Sequence, residues 1–362
     1  MNKYRKLIVS LIPIVLGLLV GAIFMALTGH NPFLGFVYLF QGGTMSLARI
    51  GNTLSTATPL ILTGLSVAFA FRTGLFNIGA PGQMLFGAFC SVAVGLSFDL
   101  PSPILVPLVV LAGVLGGAFI GSIPGFLKAK FNVHEVVACI MMNWIVFWFV
   151  NYTIPAYFRG STEMESSLLA DSATLRASWL SSLFNGSFIN LGIFLAIFSV
   201  VIIAFILNKT TFGYELKAVG FNRYAAEYAG ISVNKNIMLS MMIAGALAGL
   251  AGATQYAGNA NCLQIGILPS QGFDGIAVAL LGGNTPVGAL LAALFFGLLY
   301  SGRGFMSAMT KIPPEIADTI IATIIYFAAT SMLVEGLLDR FRKKEKSKVT
   351  TKNTASITKE VD

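Results

Sequence analysis

Charge is scarce in this 362-residue chain: 10% of its residues are Asp, Glu, Lys or Arg, against about 25% in an ordinary soluble domain. So little charge cannot cover a water-facing surface, which excludes disorder, nucleic-acid binding and most soluble enzymes. Cysteine is scarcer. Cys90, Cys139 and Cys262 are odd in number with no framework or metal spacing, and His30 and His134 lie too far apart in sequence to suggest a ligand pair. The dipeptide Gly-Lys occurs nowhere, so no GxxxxGK[ST] phosphate loop exists and the chain cannot itself be a P-loop ATPase. Neither a Ser/His/Asp arrangement nor HExxH is present, which argues against hydrolytic chemistry.

What the chain has instead is apolar length. Apolar residues make up 56% of it and the mean hydropathy is +0.81. At roughly 20 apolar residues per crossing, ten segments read as spans: 7–27, 53–71, 78–98, 104–127, 135–157, 189–207, 237–257, 272–283, 286–302 and 316–338. The first is too long for the 7–15-residue apolar region of a signal peptide and reads as an uncleaved helix. The eighth is short and crowded by Gly275, Gly282 and Gly283, which suggests a broken or tilted helix. The expected fold is an all-α integral membrane protein with about ten transmembrane helices, some broken; nine and eleven are the alternatives.

Basic residues resist translocation and so orient the chain. With both termini in the cytoplasm, Arg49, Arg159, Arg176, Arg303 and Lys311 fall outside and the other 18 of the 23 basic residues fall inside. An odd span count would spoil that bias. The division expected is a transmembrane domain at 1–340, with an outer loop at 159–188 and a cytoplasmic segment at 209–235, then a basic, disordered cytoplasmic tail at 341–362. The tail can brush anionic lipid, and the +8 net charge needs no nucleic-acid partner. The outer loop has room for a short surface helix. Asp and Glu residues lie near span boundaries, which weakens an ion-coupled carrier, since such carriers keep ionisable groups at membrane depth.

The cytoplasmic segment is more elaborate than a turn. Residues 215–219 can form one helical turn ended by Gly220. Asn222 suits the N-cap of a second short helix, 223–229, stopped by Gly230. Ala225, Ala226 and Ala229 would let a soluble partner approach closely; the alternative is an amphipathic connector lying in the headgroups.

The pattern Gly213…Ala218-Val219-Gly220-Phe221-Asn222…Ala225-Ala226…Ala229-Gly230-Ile231 resembles the coupling segment of permeases of bacterial ABC importers, in the family serving ribose-type sugars, branched-chain amino acids and nucleosides. The stretch from Phe71 to Gln83 resembles the same family's signature between spans two and three. Residues 133–137, 140–143 and 272–284 are similar to the nucleoside-importer subgroup that works with a basic-membrane-protein-type lipoprotein. The resemblance covers about 7–340. One departure is visible: Pro81 stands where the subgroup carries Glu.

The resemblance implies alternating access driven by two cytoplasmic ATP-binding subunits, docked at Gly213, Ala218, Gly220, Asn222, Ala225, Ala226 and Gly230. ATP and Mg would belong to those partners, leaving this chain without a cofactor. It further implies a second, related permease chain, an extracytoplasmic substrate-binding lipoprotein and a nucleoside substrate, purines first. The alternatives are a ribose-type sugar permease of the same class, an ion-coupled secondary nucleoside transporter, and a gated channel. Candidate pathway residues are Asn77 and Gln83, which interrupt an apolar run beside Gly74, Gly79 and Gly82. Asn143, Phe147 and Asn151 share one helical face, offering amides and a ring to a nucleoside. Asp274 completes the set. The structural alternatives are a tight turn capped by Asn77, and a fifth span whose Asn residues tie helices together while its Trp residues meet lipid. The small residues of 245–253 point to close helix packing.

Overall fold

A computed structural model describes the backbone of residues 3–162 and 164–329 and the side chains of 11–162 and 164–328. The expectations for 330–362, including the basic tail, lie outside the described residues. Among these residues the chain forms fourteen α-helices, joined by one short 3-10 turn and one π-helical turn. They are α1 (Lys3–Leu27), α2 (Pro32–Thr44), α3 (Leu47–Arg72), α4 (Ala80–Ser97), α5 (Ser102–Phe131), α6 (Glu135–Tyr157) and α7 (Ser178–Leu183), followed by α8 (Gly192–Lys209), α9 (Thr211–Phe221), α10 (Arg223–Tyr228), α11 (Val233–Ala253), α12 (Ser270–Leu281), α13 (Pro286–Thr310) and α14 (Pro314–Ala329). The π-helical turn, Thr254–Ala260, prolongs α11.

Each apolar segment picked out in the sequence coincides with a helix, the tenth as far as Ala329, where the described residues end. Among the described residues, seven helices (α3, α4, α5, α6, α8, α11 with its π turn, and α13) are long and apolar enough to cross a membrane. The eighth segment, α12, has twelve residues and is about 18 Å long, too short for a hydrocarbon core of about 30 Å. It is a half-helix, as its glycines suggested. One helix was not anticipated. Asn31 accepts from Phe33 and Leu34 N–H and starts the thirteen-residue α2, which packs along α13: Gly42 sits against Gly302 and Phe305. Its apolar run was too short to register as a span.

The core is built on α3, the helix with the largest buried share. Around it stand α13, α12, α11 and α8. The small-residue run of α11 packs inside the chain, on α5 and α4. A Cβ on Gly117 or Gly249 would collide with the facing backbone, and one on Gly113 would meet Ala253 Cβ at 2.9 Å. Small residues let these backbones approach where lipid gives no hydrophobic drive for association. The outer faces of α5, α6 and α8 expose large apolar side chains, among them Trp144, Trp148, Phe198 and Phe205, as lipid-facing helices do.

In the outer loop, α7 is the short helix expected there, preceded by a 3-10 turn at Asp171–Ala173. The isolated bridge Arg159↔Ser166 folds the loop on itself, and Glu165↔Gln264 ties it to the chain between the π turn and α12. Pro81 lies in the first turn of α4, where its missing N–H would have had no intrahelical partner.

Candidate functional site

Three polar or exposed regions stand out. The first is the elbow made by α9 and α10. Thr210 caps α9 by accepting from Gly213 N–H at 3.1 Å. Gly213 lies against the Ile206 and Leu207 backbone, which closes the corner between α8 and α9. The expected single turn at 215–219 is instead a helix of eleven residues, and Gly220 lies within it rather than ending it. Its role is close approach: a Cβ there would strike the Arg72 carbonyl and come within 3.0 Å of Gly74 N. Asn222 does cap α10, accepting from Ala225 N–H at 3.1 Å, and Gly230 takes a positive φ of 79°.

The elbow's two faces differ. Leu216, Val219 and Ala226 are buried, the last two against Leu75, Ile237 and Met241. Ala226 therefore faces the protein and cannot serve as a small contact residue on the surface, a correction to the sequence expectation. Ala225 is exposed, as are Phe221, Tyr224 and Tyr228 at 95%, 79% and 97%, so the protruding face is aromatic. Asn236 on α11 donates to Glu215 Oε2 at 2.9 Å. Arg72, whose carbonyl meets Gly220, donates from Nε to the Asn284 carbonyl at 2.8 Å. The elbow, the end of α3 and the break between α12 and α13 thus meet at one point.

The second region is a closed amide cluster under the turn between α3 and α4. Asn77 Nδ2 donates to Gln83 Oε1 at 2.8 Å, and Gln83 Nε2 donates back to Asn77 Oδ1 at 3.0 Å. Asn77 also accepts from Gly79 N–H and donates to Ser66 Oγ. Asn143 accepts from Gly82 N–H at 2.9 Å and donates to the Ile78 carbonyl at 3.1 Å. All three amides are buried, and every amide oxygen and nitrogen has a protein partner. The turn reading of Asn77 fits this geometry. Along the α6 stripe, Asn151 donates to the Phe147 carbonyl and accepts from Gly266 N–H at 2.7 Å. Phe147 packs edge-on against Trp144 and Trp148. Asp274, on α12, accepts from Tyr300 OH at 3.0 Å. The sequence candidates therefore do not converge on one site: Asn77, Gln83 and Asn143 come together, while Phe147, Asn151 and Asp274 lie apart from them.

The third region was missed. A cleft of about 300 Å³ opens between α3, the π turn, the segment before α8 and the start of α12. Asn52, Ser55 and Thr56 line it from α3, Gln255 and Asn259 from the π turn, and Gln271 and Phe188 complete it. Asn259 is its hub, accepting from Ser55 Oγ at 2.6 Å and Asn190 Nδ2 at 2.7 Å while donating to the Ser55 carbonyl and Gln255 Oε1. Arg176 clamps the π turn from the outer loop, donating to the Gly258 and Asn259 carbonyls. Polar residues three and four apart inside apolar helices, 52/55 and 255/259, were the available signal, because polar groups in a span face the protein interior. Nearby, burial pushes the Cys262 thiol up, with Glu165 at 3.8 Å adding to it, so it stays protonated.

Comparison with known proteins agrees with this architecture. Residues 49–329 match the family described as the branched-chain amino acid transport system permease component. The chain is 45% identical to the guanosine ABC transporter permease protein NupP of Bacillus subtilis, over 95% of this chain and 99% of the relative. It is 44% identical to the nucleoside ABC transporter permease protein NupB of Lactococcus lactis, over 97% and 98%. A glucose ABC transporter permease protein of Haloferax volcanii, TsgB13, is 32% identical over 87% and 84%. The first two organisms each hold a second relative, NupQ at 32% and NupC at 28% identity. No solved structure matches the chain. With a family match over most of its length, this integral membrane chain belongs to the branched-chain amino acid transport system permease family and is a transport component rather than an enzyme.

Proposed function

We propose that the chain is one permease of an ABC importer that carries nucleosides, purines first, into the cell by alternating access. The observation that carries the substrate is the full-length likeness to two permeases named for guanosine and nucleosides. In two organisms such a relative has a companion permease, which supports pairing with a second, related chain. Two cytoplasmic ATP-binding subunits and an extracytoplasmic lipoprotein complete the assembly, and ATP and Mg belong to the ATP-binding subunits. A sugar substrate is the second reading, favoured by the likeness to the glucose permease at lower identity.

The elbow is the handle on which those ATPases act. Its exposed face offers Phe221, Tyr224, Ala225 and Tyr228, and large aromatic residues are frequent anchors in protein interfaces. Its buried face seats Gly220 on Arg72, so a push on α10 reaches α3 and, through Arg72 and Asn284, the break before α13. Ten spans with both termini cytoplasmic fit this handle: that arrangement assigns 18 of the 23 basic residues to the face on which the helices either side of it end.

Two measurements test the proposal. Ala225→Arg in the full importer is expected to abolish uptake while leaving the chain in the membrane at its normal level; normal uptake overturns the handle. Labelled guanosine is expected to accumulate in cells with ATP maintained and the proton gradient collapsed. Accumulation of glucose or ribose instead moves the substrate elsewhere in the family, and uphill transport by this chain alone ends the proposal.

A further inference from the structure

The outer cleft combines an open space with amide groups whose hydrogen-bonding capacity is left over. Among the described residues, no partner lies within hydrogen-bond distance of the Gln271 side chain, of Asn52 Nδ2 or of Gln255 Nε2, although all three residues line the cleft. Asn52 uses only its oxygen, accepting from Phe188 N–H at 2.9 Å. Ser55 Oγ lies 2.9 Å from the Phe188 carbonyl, so the backbone on both sides of that ring is pinned while the ring itself is 62% exposed. Among the described residues, no charged side chain lines the space. At about 300 Å³ it stands at the small end of ligand sites.

We infer that this cleft is a recognition site for the transported solute on the outer side of the permease, taking a neutral nucleoside through the amides of Gln271, Asn52 and Gln255 beside the Phe188 ring. The inference rests on the importer reading above and adds to it the location and the residues. The chemistry is specific. A nucleobase presents donors and acceptors on its edge and an apolar face, and amides carry both kinds of group while an aromatic ring meets the face. A cleft without charge would bind a phosphorylated or carboxylate solute poorly, since nothing in it compensates the desolvated charge. The walls come from separate elements: α3, the π turn of α11 and the half-helix α12. A seven-residue π segment is rare, and such segments are frequently found at functional sites. Ser55 stands seventeen residues before Arg72 on α3, a rise of about 26 Å, so one helix links the cleft to the elbow, and a shift of α3 alters the cleft.

The test uses the whole importer in its membrane and measures uptake of labelled guanosine and cytidine below saturation, with chain level in the membrane as control. Gln271→Leu and Asn52→Leu are each expected to lower guanosine uptake about tenfold, the effect of a lost buried hydrogen bond with its partner stranded. They are also expected to change the guanosine-to-cytidine ratio by about threefold or more. An equal loss for both solutes with a raised apparent KM also supports the site, through the shared ribose; an equal loss with KM unchanged overturns it, as does wild-type uptake of both. If Gln271→Leu does not reach the membrane, Gln271→Asn, which keeps the amide and shortens its reach, is read by the same criteria. Should the unaltered importer take up neither nucleoside, the importer reading falls and this inference with it. Unchanged variants beside an active wild type remove the cleft alone.

Discussion

Two groups of amides sit at opposite ends of α3, and they do opposite things. At the inner end, Asn77, Gln83 and Asn143 satisfy one another and the backbone of the turn after Arg72 completely. At the outer end, Asn259 gathers Ser55, Asn190 and Gln255, while Gln271 and one side of Asn52 are left facing a cleft. Residue type does not separate the two groups. What separates them is unused valence: a closed network rigidifies and specifies the fold, whereas an open one beside a cavity is free to bind. The inner cluster holds the turn on which the elbow rests, so its rigidity makes the push of α9 on α3 transmissible.

Thermal unfolding of the purified chain in detergent can break or sharpen this contrast. Asn77→Leu should give the largest loss, because it strands both polar atoms of Gln83 and the Gly79 N–H in a dry interior, at about 1–3 kcal/mol for each group left unpaired. Asn143→Ala should follow, since it releases only the Gly82 N–H and the Ile78 carbonyl, again about 1–3 kcal/mol each. Asn259→Ala should cost less, about 1 kcal/mol, because water can enter the cleft and bridge the freed groups. Gln271→Leu should be the smallest, within about 0.5 kcal/mol, although it is expected to alter solute choice. If Asn259→Ala lowered the melting midpoint as far as Asn77→Leu, the outer group would be another closed network and the contrast would fail.

Much of the fold was legible in the chain. Long apolar runs marked segments that each coincide with a helix among the described residues, and Gly275, Gly282 and Gly283 flagged α12 as the short one. Asn222 was readable as a cap because its side chain acts on a backbone N–H only three residues away. By contrast, α2 was not foreseen, since its apolar run, 33–40, stops at Gln41 and the Gly42–Gly43 pair. Ala226 was read as surface because a six-residue helix carries too little periodicity to tell which alanine faces inward. Asn143 and Asn151 were read as one pathway face from their spacing, but spacing along α6 says nothing of what α4 and the 261–269 loop bring to meet them. The cleft escaped entirely: its residues lie more than 200 positions apart, from Asn52 to Gln271.

Composition and hydropathy by themselves determined that this chain lives in a membrane as a bundle of helices, because the cost of burying backbone in lipid leaves a long apolar segment few alternatives to a helix. Local spacing determined the elbow's capped corner for the same reason of short range. Which amides pair and which remain free was decided only when α3, α11 and α12 packed together. Hydrogen bonds act over about 3 Å, so their pattern is a property of neighbours in space, and no order of residues along the chain contains it.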